Sequence, residues 1–199
     1  MLRLMNRISL SQIPNILSTV RIICVPIIVV FMWFNIPTYQ LIAAILYTLA
    51  AITDLVDGYI ARKYNVTSPL GILLDPLADK LLFMCAVIML IPVGLMPAWL
   101  AFITIAREIL VTGMRGMASS KGIYISASKI GKQKTLFFNV GTIGMLIGNI
   151  NFPYLNIERI GFVVFLVGAV LSIVSGIDYI IGFKRNIISK LNVKDMINE

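Results

Sequence analysis

A chain of 199 residues that is 59% hydrophobic and only 13% charged, with a mean hydropathy of +0.94, is too apolar for an ordinary water-soluble domain. It contains no histidine, which excludes a Ser-His-Asp hydrolase, and no soluble-type nucleotide-binding glycine loop. Its two cysteines, Cys24 and Cys85, fall in apolar runs and are expected to be packing residues.

Residues 1–13 place Met1, Leu4, Met5 and Ile8 on one side and Arg3, Asn6 and Arg7 on the other, which predicts a short N-terminal amphipathic helix on the membrane surface. Pro14 and Asn15 end it, Arg21 lies inside the following apolar run, and no small-x-small cleavage site follows, so a secretory signal is not expected. Six apolar segments of the length a bilayer requires then follow, over 16–34, 39–61, 77–95, 98–118, 131–150 and 160–182. The predicted fold is all-α: six transmembrane helices forming one bundle, a single domain over residues 1–199.

The formal charge of +8 is distributed by side. Arg3, Arg7, Arg62, Lys63, Lys80, Lys121, Lys129, Lys132, Lys134, Lys184, Arg185, Lys190 and Lys194 flank the spans at one set of ends. The turns at 34–38 and 91–97 carry no charge, and the last outer loop has only Glu158 and Arg159. By the positive-inside rule both termini face the cytoplasm, as expected of a multi-pass plasma-membrane protein. The basic excess is thus topological, and no nucleic-acid partner is expected.

Against this background the acids stand out. Asp54 and Asp57 lie near the end of the second apolar segment, and Asp75 and Asp79 enter the third. An Asp at the centre of a spanning helix costs about 2.5–3.5 kcal/mol, so four unpaired ones would cost roughly 10–14 if the costs added. With no histidine and few cations nearby, divalent cations are the expected compensation.

At helical offsets Asp54, Asp57, Gly58, Ala61 and Arg62 form one stripe, and Gly71, Asp75 and Asp79 a second. The residue before Pro76 is biased away from the α region, so the third helix is expected to begin near Asp75 with the proline in its first turn. Hard divalent ions prefer oxygen ligands, and four carboxylates on two helices can hold two of them, Mg²⁺ or Mn²⁺, in two-metal phosphoryl chemistry. Gly58 and Ala61 leave open space that a bulky side chain would deny to a diphosphate.

The register Asp54, Asp57, Gly58, Ala61, Arg62, Gly71, Asp75, Asp79 resembles the signature of the CDP-alcohol phosphotransferases. The resemblance implies that the acids bind metal, that Asp79 also acts as base, and that a phosphoryl-linked group passes from a CDP-alcohol to an acceptor hydroxyl with release of CMP. The opening Pro14-Asn15-Ile16-Leu17-Ser18-Thr19-Val20-Arg21 is similar to that of the bacterial phosphatidylglycerophosphate synthase subfamily. So are Ala106-Arg107-Glu108-Ile109, then Arg115, then Gly131-Lys132-Gln133-Lys134-Thr135; Phe138 departs from the polar residue usual there.

This likeness implies CDP-diacylglycerol as donor and glycerol 3-phosphate as acceptor. It implies donor contacts from Gly58, Ala61, Arg62, Asn15 and Ser18, with Ser68 added as a loop residue between the acidic stripes and Arg21 alongside the opening motif. An acceptor that carries a phosphate needs cations, and Arg115, Lys132, Arg107 and Lys134 are the candidates. Arg107 lies deep enough in its span to need a partner, while the adjacent Glu108 is expected to point elsewhere on its helix.

Gly141, Gly144 and Gly148 are expected to serve close helix contact. The other partners are membrane lipid and, at most, a second copy in a homodimer. Two alternatives stay open: a related transferase using serine, inositol phosphate or phosphatidylglycerol, or a divalent-cation transporter.

Overall fold

The computed structural model describes residues 2–64, 69–120, 129–148 and 156–197. They form six helices and, among the described residues, no strand: α1 (Leu2–Trp33), α2 (Pro37–Tyr64), α3 (Pro69–Met89), α4 (Ala98–Ser120), α5 (Lys129–Gly148) and α6 (Ile157–Ile197).

Proline marks three of the helix starts. Pro37 and Pro69 are the first residues of α2 and α3, where a missing N–H costs nothing, and Pro97 immediately precedes α4. The α1–α2 turn closes on Asn35, whose φ of 50° is a left-handed conformation that Asn tolerates. Its N–H donates to the Met32 carbonyl at 3.2 Å, and its Oδ1 accepts from Gln40 Nε2 at 2.7 Å. The α3–α4 turn passes through Gly94 at φ 79°, where a Cβ would meet nothing within 4 Å, so glycine is needed there for backbone freedom rather than for space.

Two expected boundaries are corrected. No separate amphipathic helix precedes the first span, because α1 runs unbroken from Leu2 through Pro14. A helical φ suits proline, and the loss of one hydrogen bond does not end a helix continued by a long apolar run. Helix α3 begins at Pro69 rather than near Asp75, which leaves Pro76 inside it. Asp75 is therefore helical despite its proline neighbour, since Pro69 supplies the helix start.

Helix α1 packs on both α2 and α3, α5 lies along α6, α2 touches α5, and α4 leans on α6 and α3. The α5–α6 contact is backbone against backbone. A Cβ on Gly144 would stand 2.9 Å from Gly161 Cα, and one on Gly161 2.6 Å from Met145 N, so the two helices approach only because both positions lack side chains. The expectation for Gly141, Gly144 and Gly148 holds, and the surface they meet is α6 of the same chain.

Phe83 of α3, Phe138 of α5 and Phe165 of α6 join in the core, with ring centroids 5.0 Å (Phe83 to Phe138) and 4.8 Å (Phe138 to Phe165) apart. Phe138, the departure from the subfamily pattern, thus ties three helices together.

Large apolar residues face outward at steps of three and four: Ile16, Val20, Ile23, Ile27 and Val30 on α1, and Ile160, Val163, Val167, Val170, Val174 and Ile177 on α6. Comparable exposed residues occur on every helix, a surface suited to lipid rather than water. Among the described residues, Asn15–Trp33 and Ile157–Lys184 are helical, long and apolar enough to cross a membrane.

Candidate active site

The described acids of the signature lie on α2 (Asp54) and α3 (Asp75 and Asp79), and α1 reaches both helices. Its Arg21, only 1% exposed, forms an ion pair through Nη1 with Asp54 Oδ1. Arg21 Nη2 also donates to Ser18 Oγ at 3.3 Å, and the buried Ser18 hydroxyl donates to Asp75 Oδ1. An unbroken polar chain therefore runs Asp54, Arg21, Ser18, Asp75. This corrects the expectation that only divalent cations stand near enough to compensate the acids. Residue spacing within α2 and α3 could not reveal a partner supplied by a third helix.

Asp79 is placed differently. Among the described residues it has neither a hydrogen bond nor an ion pair, yet it lies within electrostatic range of Asp54, Lys80, Arg21 and Glu108. It lines a small cleft with Lys80, Phe83, Glu108, Lys134, Thr135, Phe138 and Asn139. An uncommitted carboxylate at a cleft wall is available to accept a proton or to bind a cation.

Glu108 is the hub of the opposite wall. Its Oε1 accepts from Arg107 Nη1 at 2.7 Å and from Lys134 Nζ, and its Oε2 stands 3.3 Å from Lys80 Nζ. Arg107 also donates from Nη2 to Ser175 Oγ of α6 at 2.6 Å. Gly176 makes room for it, since a Cβ there would stand 3.0 Å from Arg107 Nε. Glu108 does not point away from Arg107 as expected: both side chains are long enough for sequence neighbours to meet beside the helix.

Of the proposed acceptor residues, Arg107 and Lys134 come together on Glu108, whereas Arg115 is exposed and lies over the Tyr179 ring, 5.7 Å from its centroid. Of the proposed donor residues, Ser18 joins the acid chain, and Asn15 lines a shallow dent on α1 with Ile16, Thr19 and Val20. Ser68 and the side chains of Asp57, Gly58, Ala61, Arg62 and Lys132 lie outside the described residues. Lys80, Glu108 and Asn139 were not anticipated as site residues. The signal for the first two was adjacency, Lys80 following Asp79 and Glu108 following Arg107; nothing in the sequence marks Asn139, whose Oδ1 accepts from Tyr47 at 2.9 Å.

The oxygen donors suit a hard divalent cation, since Asp54 of α2 and Asp79 of α3 lie within electrostatic range of each other and, among the described residues, Asp79 has neither a hydrogen bond nor an ion pair. Among the described residues no group of three or more ligating side chains already closes round one point.

These features belong to a helical enzyme of phosphoryl-group chemistry, and comparison with known proteins places it. The chain matches the family model described as CDP-alcohol phosphatidyltransferase over residues 11–174, and it belongs to that family. It is similar to the CDP-diacylglycerol--glycerol-3-phosphate 3-phosphatidyltransferase of Rickettsia bellii (strain RML369-C), with 33% identity over 175 residues covering 88% of this chain and 97% of the relative. Its counterpart of the same name in Bacillus subtilis (strain 168) is 35% identical over 187 residues, 88% of this chain and 95% of the relative. A probable phosphatidylglycerophosphate synthase of Mycobacterium tuberculosis (strain ATCC 25618 / H37Rv) is 30% identical over 184 residues, 91% of this chain and 86% of the relative.

Proposed function

We propose that this chain transfers the phosphatidyl group of CDP-diacylglycerol to glycerol 3-phosphate, giving phosphatidylglycerophosphate and CMP. The observation that carries the proposal is one cleft holding Asp79, a carboxylate with no hydrogen bond or ion pair among the described residues, beside the cations Lys80 and Lys134, in a chain whose relatives are named for this reaction. An acceptor with a phosphate at one end and a reacting hydroxyl at the other needs both.

Asp79 takes the proton of the acceptor hydroxyl. The freed oxygen forms a bond to the phosphorus that carries diacylglycerol, the bond from that phosphorus to the CMP oxygen breaks, and CMP leaves with the electron pair. Asp54, Asp57, Asp75 and Asp79 would hold two divalent ions, Mg²⁺ or Mn²⁺, whose chemistry is to neutralise charge growing on the phosphoryl oxygens and on CMP. Gly58 and Ala61 leave clearance for the diphosphate, and Arg62, Asn15, Ser18 and Ser68 contact the donor. Arg115, Lys132, Arg107 and Lys134 attract the acceptor phosphate.

All six helices cross a bacterial plasma membrane as one domain, with the cleft toward the cytoplasm. The outward apolar stripes and the one-sided basic charge support that topology. A homodimer is compatible with this arrangement and is not required by the chemistry. The test is product identification: purified protein in detergent with CDP-diacylglycerol, glycerol 3-phosphate and Mg²⁺ should yield phosphatidylglycerophosphate and CMP in equal amounts. Release of CMP without that lipid would contradict the proposal.

A further inference from the structure

Three cations from three helices, Lys80 of α3, Arg107 of α4 and Lys134 of α5, converge on the single carboxylate of Glu108. Three positive charges against one negative leave the group at +2, which complements a phosphate of charge about −2. Lys80 and Lys134 line the cleft with Asp79, and each ammonium has three donors of which Glu108 engages one. Arg107 is held from behind by Ser175, so the carboxylate that fixes the two lysines is itself anchored to α6 through Arg107.

We propose that Glu108 is a positioning residue, holding the Lys80 and Lys134 ammonium groups at the cleft wall so that their remaining donors bind the phosphate of the acceptor. Lys80 is thereby a further contact for that phosphate. The role rests on glycerol 3-phosphate being the acceptor. Without Glu108 the two flexible lysine stems would have no shared fixed point, and like charges would drive them apart before the acceptor arrived. With it, the phosphate meets a preformed site.

The test compares Michaelis constants in wild-type protein, Glu108→Gln, Glu108→Asp and Lys80→Met. Glu108→Gln keeps the shape and removes the charge. It should raise the KM for glycerol 3-phosphate by roughly 10- to 100-fold, the range of a charge-assisted hydrogen bond, while the KM for CDP-diacylglycerol stays within about twofold. Glu108→Asp, which restores the charge, should recover part of the loss. Lys80→Met should show the same split, and adding it to Glu108→Gln should cost less than the two single effects combined.

A glycerol 3-phosphate KM unchanged in Glu108→Gln, or a rise shared equally by both substrates, would overturn the positioning role and leave the proposed reaction standing. If Glu108→Gln does not insert, Lys80→Met decides alone, and an unchanged acceptor KM in it overturns the inference. Wild-type protein that fails to use glycerol 3-phosphate overturns the proposed function and this role together.

Discussion

Replacing Asp79 by Asn should separate turnover from stability. Asp79 makes no hydrogen bond and no ion pair among the described residues, so the substitution removes a charge and a proton acceptor without breaking a structural contact. Its charged neighbours are two cations, Lys80 and Arg21, and two anions, Asp54 and Glu108, so no single ion pair is lost with its charge. The unfolding free energy should therefore change by no more than about 1 kcal/mol. Turnover should fall by about 10²- to 10⁴-fold, the usual cost of losing a general base, which is roughly 2.7–5.4 kcal/mol of transition-state stabilisation. Donor binding should persist, since Asp54, Asp57 and Asp75 remain. Asp54→Asn is the contrasting control: it weakens the pair with the buried Arg21, and because Asp54 is 38% exposed the cost should lie near the low end of the 1.5–3 kcal/mol expected for a charged hydrogen bond, about 1.5 kcal/mol. The assay pairs CMP release with thermal unfolding in the same detergent. Wild-type turnover in Asp79→Asn would refute the assignment of the base, and a large loss of stability would refute its placement as an uncommitted carboxylate.

Chelation of divalent ions should abolish CMP release, and Mg²⁺ or Mn²⁺ should restore it; full activity in excess chelator would remove the metals from the account. Gly58→Leu should block the donor while the protein still inserts, measured as loss of CDP-diacylglycerol binding with an unchanged unfolding temperature; normal transfer would place the donor elsewhere. Arg115→Ala and Lys132→Ala should each raise the KM for glycerol 3-phosphate more than that for CDP-diacylglycerol. Because Arg115 rests on Tyr179, a null result for Arg115 alone would mean that it serves the α4–α6 contact instead.

The sequence exposes the helices because apolar runs of bilayer length leave little else for the chain to do, and each of the six expected segments corresponds to a helix. The ends were harder to read. Hydropathy stops near residue 182, but α6 continues to Ile197 because nothing in its polar continuation breaks a helix. The start of α3 depended on whether Pro69 or Pro76 supplied the first turn, and both prolines fit the local rules.

The acids were legible from their offsets, whereas their partners were not. Arg21 and Ser18 reach Asp54 and Asp75 only because α1 packs on both α2 and α3, a tertiary fact that no spacing within α1 encodes. Glu108 was discounted because adjacent residues leave a helix in different directions. That rule describes where Cβ atoms point; it does not limit where a long Glu or Arg side chain ends.

The central claim is tested most directly by CMP release from CDP-diacylglycerol with the purified protein and Mg²⁺, offering glycerol 3-phosphate, serine, inositol phosphate and phosphatidylglycerol in turn. The account expects rapid release with glycerol 3-phosphate and little with the other three; faster release with serine, or with any of the others, would contradict it.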